Sequence, residues 1–210
     1  MALDTGKKIF LFDFDGTIAD TVDAAVRIYN EIAQEYGYTL VTKENFPTLR
    51  NMSALENVRY LGISILKIPF IAKQVRAMLE HEVADITPIS GVVESLRTLK
   101  NKGYELHIVS SNSKENILLF LDNNTLNTFT DVHSVSDVFG KHTAIRSLIE
   151  ANAWDRSSVT YIGDEARDID AAKKVGIKAV AVSWGYNSKE ALQKSMPDII
   201  LSNPSELTTL

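Results

Sequence analysis

The chain alternates short apolar runs with longer stretches whose apolar residues recur at spacings of three and four. The runs at 9–13, 105–110, 131–135, 159–162 and 178–182, with a short sixth at 199–201, read as buried strands. Helical periodicity separates them at 91–102, 114–123, 142–151 and 168–175, the last with Ile169, Ala172 and Val175 on one stripe. Strands alternating with helices of this length predict an α/β fold, a Rossmann-like doubly wound parallel sheet joined by right-handed crossovers.

Residues 20–87 break the alternation. They contain no strand pattern but three helical ones, at 21–36, 53–61 and 69–84. In the third, Pro69 suits a first helical turn, and Ile71, Val75, Met78, Leu79 and Val83 fall on one face. The pattern predicts an all-helical cap domain at 20–87 inserted into a core of 1–19 and 88–210. The hinges would lie near Asp20 and Thr21 and at 86–88. The other reading is that these helices simply continue the core.

The chemistry gathers at strand ends. Asp13 and Asp15 stand two residues apart where the first apolar run meets a Gly16-Thr17 turn. Two acids at the mouth of a buried strand are costly unless a cation or a shared proton relieves them. Asp164 follows another strand and its terminal Gly163, and Asp168 lies near the start of the next helix, where an acid is ordinary. Asp13, Asp15 and Asp164 can meet only if the first and fourth strands are neighbours. Such an all-oxygen cluster suits a hard divalent cation, best Mg2+. No His-rich or Cys-rich spacing offers zinc or iron a site. Ser110 ends the second strand and is followed by Ser111, Asn112 and Ser113, just before a helix at 114. On the residues alone they form either an N-cap cluster or an anion site at a helix N-terminus.

Composition narrows the partners. The 210 residues are 45% hydrophobic and 23% charged, enough for one substantial core. A net charge of −5 gives no reason to expect nucleic acid or an anionic membrane surface. There is no cysteine, hence no disulfide or thiolate chemistry. The first eight residues lack a signal-peptide core, and no apolar stretch approaches the ~20 residues of a membrane span. A monomer or homodimer in the cytoplasm, acting on a small molecule, is the expectation.

The run Asp13-Phe-Asp-Gly-Thr17, the strand ending in Ser110, the isolated Lys141 and the run Gly163-Asp-Glu-Ala-Arg-Asp168 resemble, in this order, the haloacid dehalogenase superfamily of phosphatases and phosphomutases. The resemblance spans nearly the whole chain and is closest to phosphoglycolate-phosphatase-like members with a helical cap. It implies that Asp13 is a nucleophile forming an aspartyl-phosphate, and that Asp15 protonates the leaving group and later deprotonates water. It further implies phosphate contacts from Ser110, Ser111, Asn112 and Lys141. Mg2+ would be held by Asp13, the backbone carbonyl of Asp15, and Asp164. Asp168 would orient Lys141 or a metal-bound water, and Thr17 would fix the turn. Arg50 sits where capped relatives present an Arg-Gly loop to substrate, although Asn51 replaces the glycine here. Likewise His142 stands where many relatives have proline. The aromatics of Trp184-Gly-Tyr186 would line the entrance or simply pack, and Glu165 and Arg167 would pair on the rim. The function implied is a Mg2+-dependent phosphatase of a small phosphorylated metabolite, phosphoglycolate-like or a sugar phosphate. The alternatives are a sugar phosphomutase and a non-enzymatic phosphate-binding module.

Overall fold

Six strands, β1 (Ile9–Phe12), β2 (Glu105–Ser110), β3 (Asp131–Ser134), β4 (Val159–Gly163), β5 (Lys178–Val182) and β6 (Ile199–Leu201), pair in parallel as one sheet in the order β3-β2-β1-β4-β5-β6. The structure, a computed structural model, describes residues 8–135 and 140–210. Residues 1–7 and 136–139, which fall within the expected core of 1–19 and 88–210, lie outside them. In register, Phe12 stands beside Ile108 on one side and Ile162 on the other. The chain order reverses at β1, with β2 and β4 flanking it. In open α/β sheets that switch point places a ligand crevice outside the strands' carboxyl ends.

Both sheet faces are covered, which explains the near-continuous apolar strands. Phe10 and Phe12 face one side with α5 (Val92–Asn101) and α6 (Lys114–Asn123), packing against Leu96, Ile117 and Phe120. Ile9, Leu11 and Tyr161 face the other side with α7 (Lys141–Ala151) and α8 (Ala166–Val175), against Ile145, Ile169 and Val175. The doubly wound α/β architecture is as expected.

Between β1 and α5 the chain is helical: α1 (Val22–Tyr36), α2 (Phe46–Arg50), α3 (Ala54–Tyr60) and α4 (Ile68–Glu82). No strand occurs among them. Ile71, Leu79 and Val83 of the anticipated stripe are buried, Val75 and Met78 partly so, in a cluster continuous with Ile28, Ile32 and the sheet core. Its two connections to the core are bonded to each other: Asp20 N–H donates to Thr87 O at 3.0 Å and Ile89 N–H to Ile18 O at 2.9 Å.

Two short helices, α2 and α9 (Lys189–Lys194), were not foreseen. They are too short for periodicity to register. Helix α8 begins two residues before Asp168, because Asp168 is its third residue: the carboxylate reaches back to the Glu165 amide in a capping box.

Candidate active site

The pairing of β1 with β4 continues one residue past the strand, where Asp13 N–H donates to Ile162 O at 2.8 Å. That bond fixes the Asp13 side chain at the sheet's carboxyl edge, almost wholly buried. Its Oδ1 accepts the Phe14 amide at 2.8 Å, and its Oδ2 meets Lys141 Nζ at 2.8 Å. The same ammonium meets Asp168 Oδ1 at 2.6 Å, and Asp168 Oδ2 accepts the Glu165 amide at 3.1 Å. Lys141 opens α7 and is itself buried, so one cation bridges two buried carboxylates. Lys114, by contrast, pairs on the surface with Asp131 at 3.4 Å.

Asp164 leaves β4 directly opposite. Its Oδ1 accepts the Thr17 hydroxyl at 2.9 Å and its Oδ2 the Tyr186 amide at 2.7 Å. Two glycines make room for it. Gly16 has φ 70°, and a Cβ there would collide with Asp164 Oδ2; a Cβ on Gly185 would collide with Asp164 and Gly16 O. The loop after β5 therefore belongs to the site, its Trp184 Nε1 donating to Thr17 O at 3.2 Å. The sequence flagged this loop by its aromatics but gave no reason for Gly185.

Asp15 turns toward β2 instead. Asn112 Nδ2 donates to its Oδ1 at 3.1 Å and its Oδ2 at 3.2 Å. Buried Ser110 ends β2, its Oγ accepting the Asn112 amide at 3.2 Å. The N-cap of α6 is Ser113, accepting the Asn116 amide at 3.1 Å. Ser110 and Ser111 are thus not the capping residues.

Arg50 is placed elsewhere. Its Nε and Nη2 donate to Tyr186 O and Gly185 O at 2.8 and 2.9 Å, latching α2 to the Gly185–Tyr186 backbone. It does not line the cavity of about 300 Å3 that opens from Asp15 and Asp164. Residues lining that cavity include Tyr186, Ser111, Asn112, the ion-paired Glu165 and Arg167, and Arg76 of α4, which the sequence reading missed. His107 packs against Trp154, ring centroids 5.0 Å apart.

Charge dominates the site. Burial pushes the Asp164 carboxyl well above its ordinary value, reinforced by Glu165 and Asp13. Burial also raises Asp168, and it raises Asp15 to about 6, helped by the charge of Asp13. Asp13 alone of the four is lowered: burial opposes this, but Lys141 and then Arg167 outweigh it. Lys141 rises well above its usual value, because Asp13 and Asp168 overcome the cost of burial. Oxygens of Asp13, Asp164 and Asp168 lie within 4.8 Å of one another. An all-oxygen cluster with more buried negative charge than its cations offset fits a hard divalent metal ion.

Residues 10–182 match the family model described as haloacid dehalogenase-like hydrolase. The chain belongs to that family. A phosphoglycolate phosphatase of Synechococcus elongatus is 34% identical over 95% of each chain. The pyrophosphatase PpaX of Bacillus velezensis is 28% identical over 97% of this chain and 96% of its own. A haloacid dehalogenase-like hydrolase structure from Bacteroides fragilis shares the fold with a TM-score of 0.81, at 22% identity over 96% of this chain and 99% of that one. The chain is accordingly an enzyme, of the phosphoric monoester hydrolase class, as the motifs implied. Among the described residues no helix is long and apolar enough to cross a membrane.

Proposed function

We propose that the protein is a Mg2+-dependent phosphatase that hydrolyses a small phosphorylated metabolite through an aspartyl-phosphate on Asp13. The observation that carries this reading is the contrast between two neighbouring acids. Asp13 is held ionised by Lys141, while Asp15 is raised to about 6. One is poised to attack and the other to donate a proton.

In the first displacement an Asp13 oxygen bonds phosphorus as the ester oxygen departs, taking the proton of Asp15. In the second, Asp15 takes a proton from water as that water attacks phosphorus, which releases phosphate and restores Asp13. Ser110 and the Ser111 and Asn112 amides bind phosphoryl oxygens at the start of α6, where backbone N–H groups favour anions. Lys141 offsets the negative charge of Asp13, which would otherwise repel the incoming phosphate, and Asp168 positions Lys141. Asp13, Asp164 and the backbone carbonyl of Asp15 would hold Mg2+, which neutralises phosphoryl charge when bound. Thr17, Tyr186 and the two glycines keep Asp164 aimed. Residues 20–87 act as a cap that closes over the crevice about the paired connections near 20 and 87.

Phosphate release should be measured across phosphoglycolate, sugar phosphates and nucleotides, with Mg2+ and in chelator. The expected result is Mg2+-dependent turnover that Asp13→Asn abolishes without loss of fold. Wild-type rates in that variant would remove the nucleophile from the reading. Turnover of a hexose monophosphate only with a bisphosphate primer would replace hydrolysis by phosphomutase chemistry.

A further inference from the structure

We propose that Arg76 selects substrates carrying a second anionic group on the alcohol side of the phosphoester; this rests on the phosphatase reading above. The cavity has two unlike ends. At the sheet it is acidic and polar, with Asp15, Asp164, Ser111 and Asn112. Away from the sheet its wall is aliphatic, built by Val22 and Ala25 of α1 and by Ala72, Val75 and Leu79 of α4. A phosphoryl group held at the polar end directs its leaving group toward this wall.

Two guanidinium groups line the cavity, and they differ. Arg167 is ion-paired with Glu165. Arg76 has no carboxylate within ion-pairing distance among the described residues. Its acceptors are carbonyls, Ala72 O from Nε and Ser111 O from Nη1, both at 3.2 Å. These bonds use two of its five N–H groups. They also hold the guanidinium beside the loop whose Asn112 binds Asp15. A half-buried, permanently charged fork without a counter-ion among the described residues, bonded to the Ser111 carbonyl of the phosphate-facing loop, is built to take a planar or tetrahedral anion. The aliphatic wall has little to satisfy a ring of sugar hydroxyls, each of which would lose hydrogen bonds on entering. The substrate class that fits is therefore compact and doubly anionic: a phosphoester bearing a carboxylate, or one with a second phosphoryl group.

The test compares phosphoglycolate with ethyl phosphate, which lacks the second charge, in wild type, Arg76→Ala and Arg76→Lys. Arg76→Ala should lower kcat/KM for phosphoglycolate by about 10- to 100-fold, the worth of a charged hydrogen bond, and leave ethyl phosphate near the wild-type value. Arg76→Lys should recover part of the loss, since lysine keeps the charge without the fork. Equal losses on both substrates would reduce Arg76 to a latch on Ser111, and no loss on phosphoglycolate would overturn the assignment outright. Inorganic pyrophosphate as a third substrate tells a phosphoryl from a carboxylate partner. Calorimetry with 3-phosphonopropionate and propylphosphonate, neither of which can be hydrolysed, separates the two claims. If wild type releases phosphate from no substrate, the phosphatase reading falls, yet preference for the carboxylate-bearing phosphonate that Arg76→Ala erases would still uphold Arg76. Equal binding of both phosphonates by wild type would overturn it.

Discussion

Lys141 is the residue on which the electrostatics of the site turn. It bridges Asp13 and Asp168 out of contact with solvent, so its removal leaves two buried carboxylates facing each other. Lys141→Met should abolish turnover and cost about 3–5 kcal/mol of stability at neutral pH, the usual penalty for breaking a buried ion pair. Urea unfolding at pH 7.5 measures it, and wild-type stability would contradict the bridge. Asp15 carries a second expectation. With its carboxyl raised to about 6, the donating form disappears as pH rises past that value, so kcat/KM for alkyl phosphates should decline above about pH 6. Asn112 stabilises the ionised form by donating to both oxygens. Asn112→Ala should therefore move the decline to higher pH; an unmoved profile would detach Asp15 from it. Most of these residues were legible in the sequence because an acid or lysine at a strand end or helix start stands out. Arg76 was not, since a lone arginine on an amphipathic helix is ordinary and only the cavity beneath it gives it meaning.

At the scale of elements, the convergence of Asp13 with Asp164 required β1 beside β4, and β1 pairs with β4 along its whole length. The strand positions were legible because both sheet faces are buried, which leaves uninterrupted apolar runs. Helix α2 was not legible. Five residues hold no period, and its position is maintained by Arg50 on Gly185 O and Tyr186 O and by the Ser188 amide on Arg50 O at 2.9 Å. The Trp184–Asn187 loop was noticed for its rings, while its structural task falls to backbone: the Tyr186 amide anchors Asp164, and Gly185 leaves space for it. Gly185→Ala tests this directly. The added methyl must displace Asp164 or the Gly16 carbonyl, so the Mg2+ concentration for half-maximal activity should rise at least tenfold, as disturbed support of a ligand commonly produces. Thermal unfolding without metal should change much less than that response. An unaltered Mg2+ response would mean that the loop merely covers the site.

For the whole molecule, the site stores electrostatic tension that a bound cation would release. Asp15, Asp164 and Asp168 all have carboxyls raised above the ordinary 3.8, chiefly by burial. Each binds its proton more tightly folded than unfolded, so each contributes stability that is complete below pH 3.8 and is lost as pH climbs through its folded value. Asp13, lowered, acts oppositely, but its contribution changes only below 3.8. His133 is also lowered, by burial, so its contribution is complete above pH 6.5 and is lost as pH falls from there through its folded value, opposing the trend in part. Three raised carboxyls outweigh one histidine. In chelator, the unfolding temperature should therefore be higher at pH 5.5 than at pH 7.5. Magnesium binds the ionised carboxylates of the native state, so it should stabilise more at pH 7.5 than at 5.5 and flatten the dependence. Asp164→Asn separates this from any general effect of pH. The amide can keep the Thr17 and Tyr186 contacts once the Thr17 hydroxyl turns to accept, and it removes one buried charge. The metal-free variant should be at least as stable as wild type at pH 7.5 and gain nothing from Mg2+. A variant that is less stable yet still stabilised by Mg2+ would show that the cation sits elsewhere and that the acidic cluster is not its site.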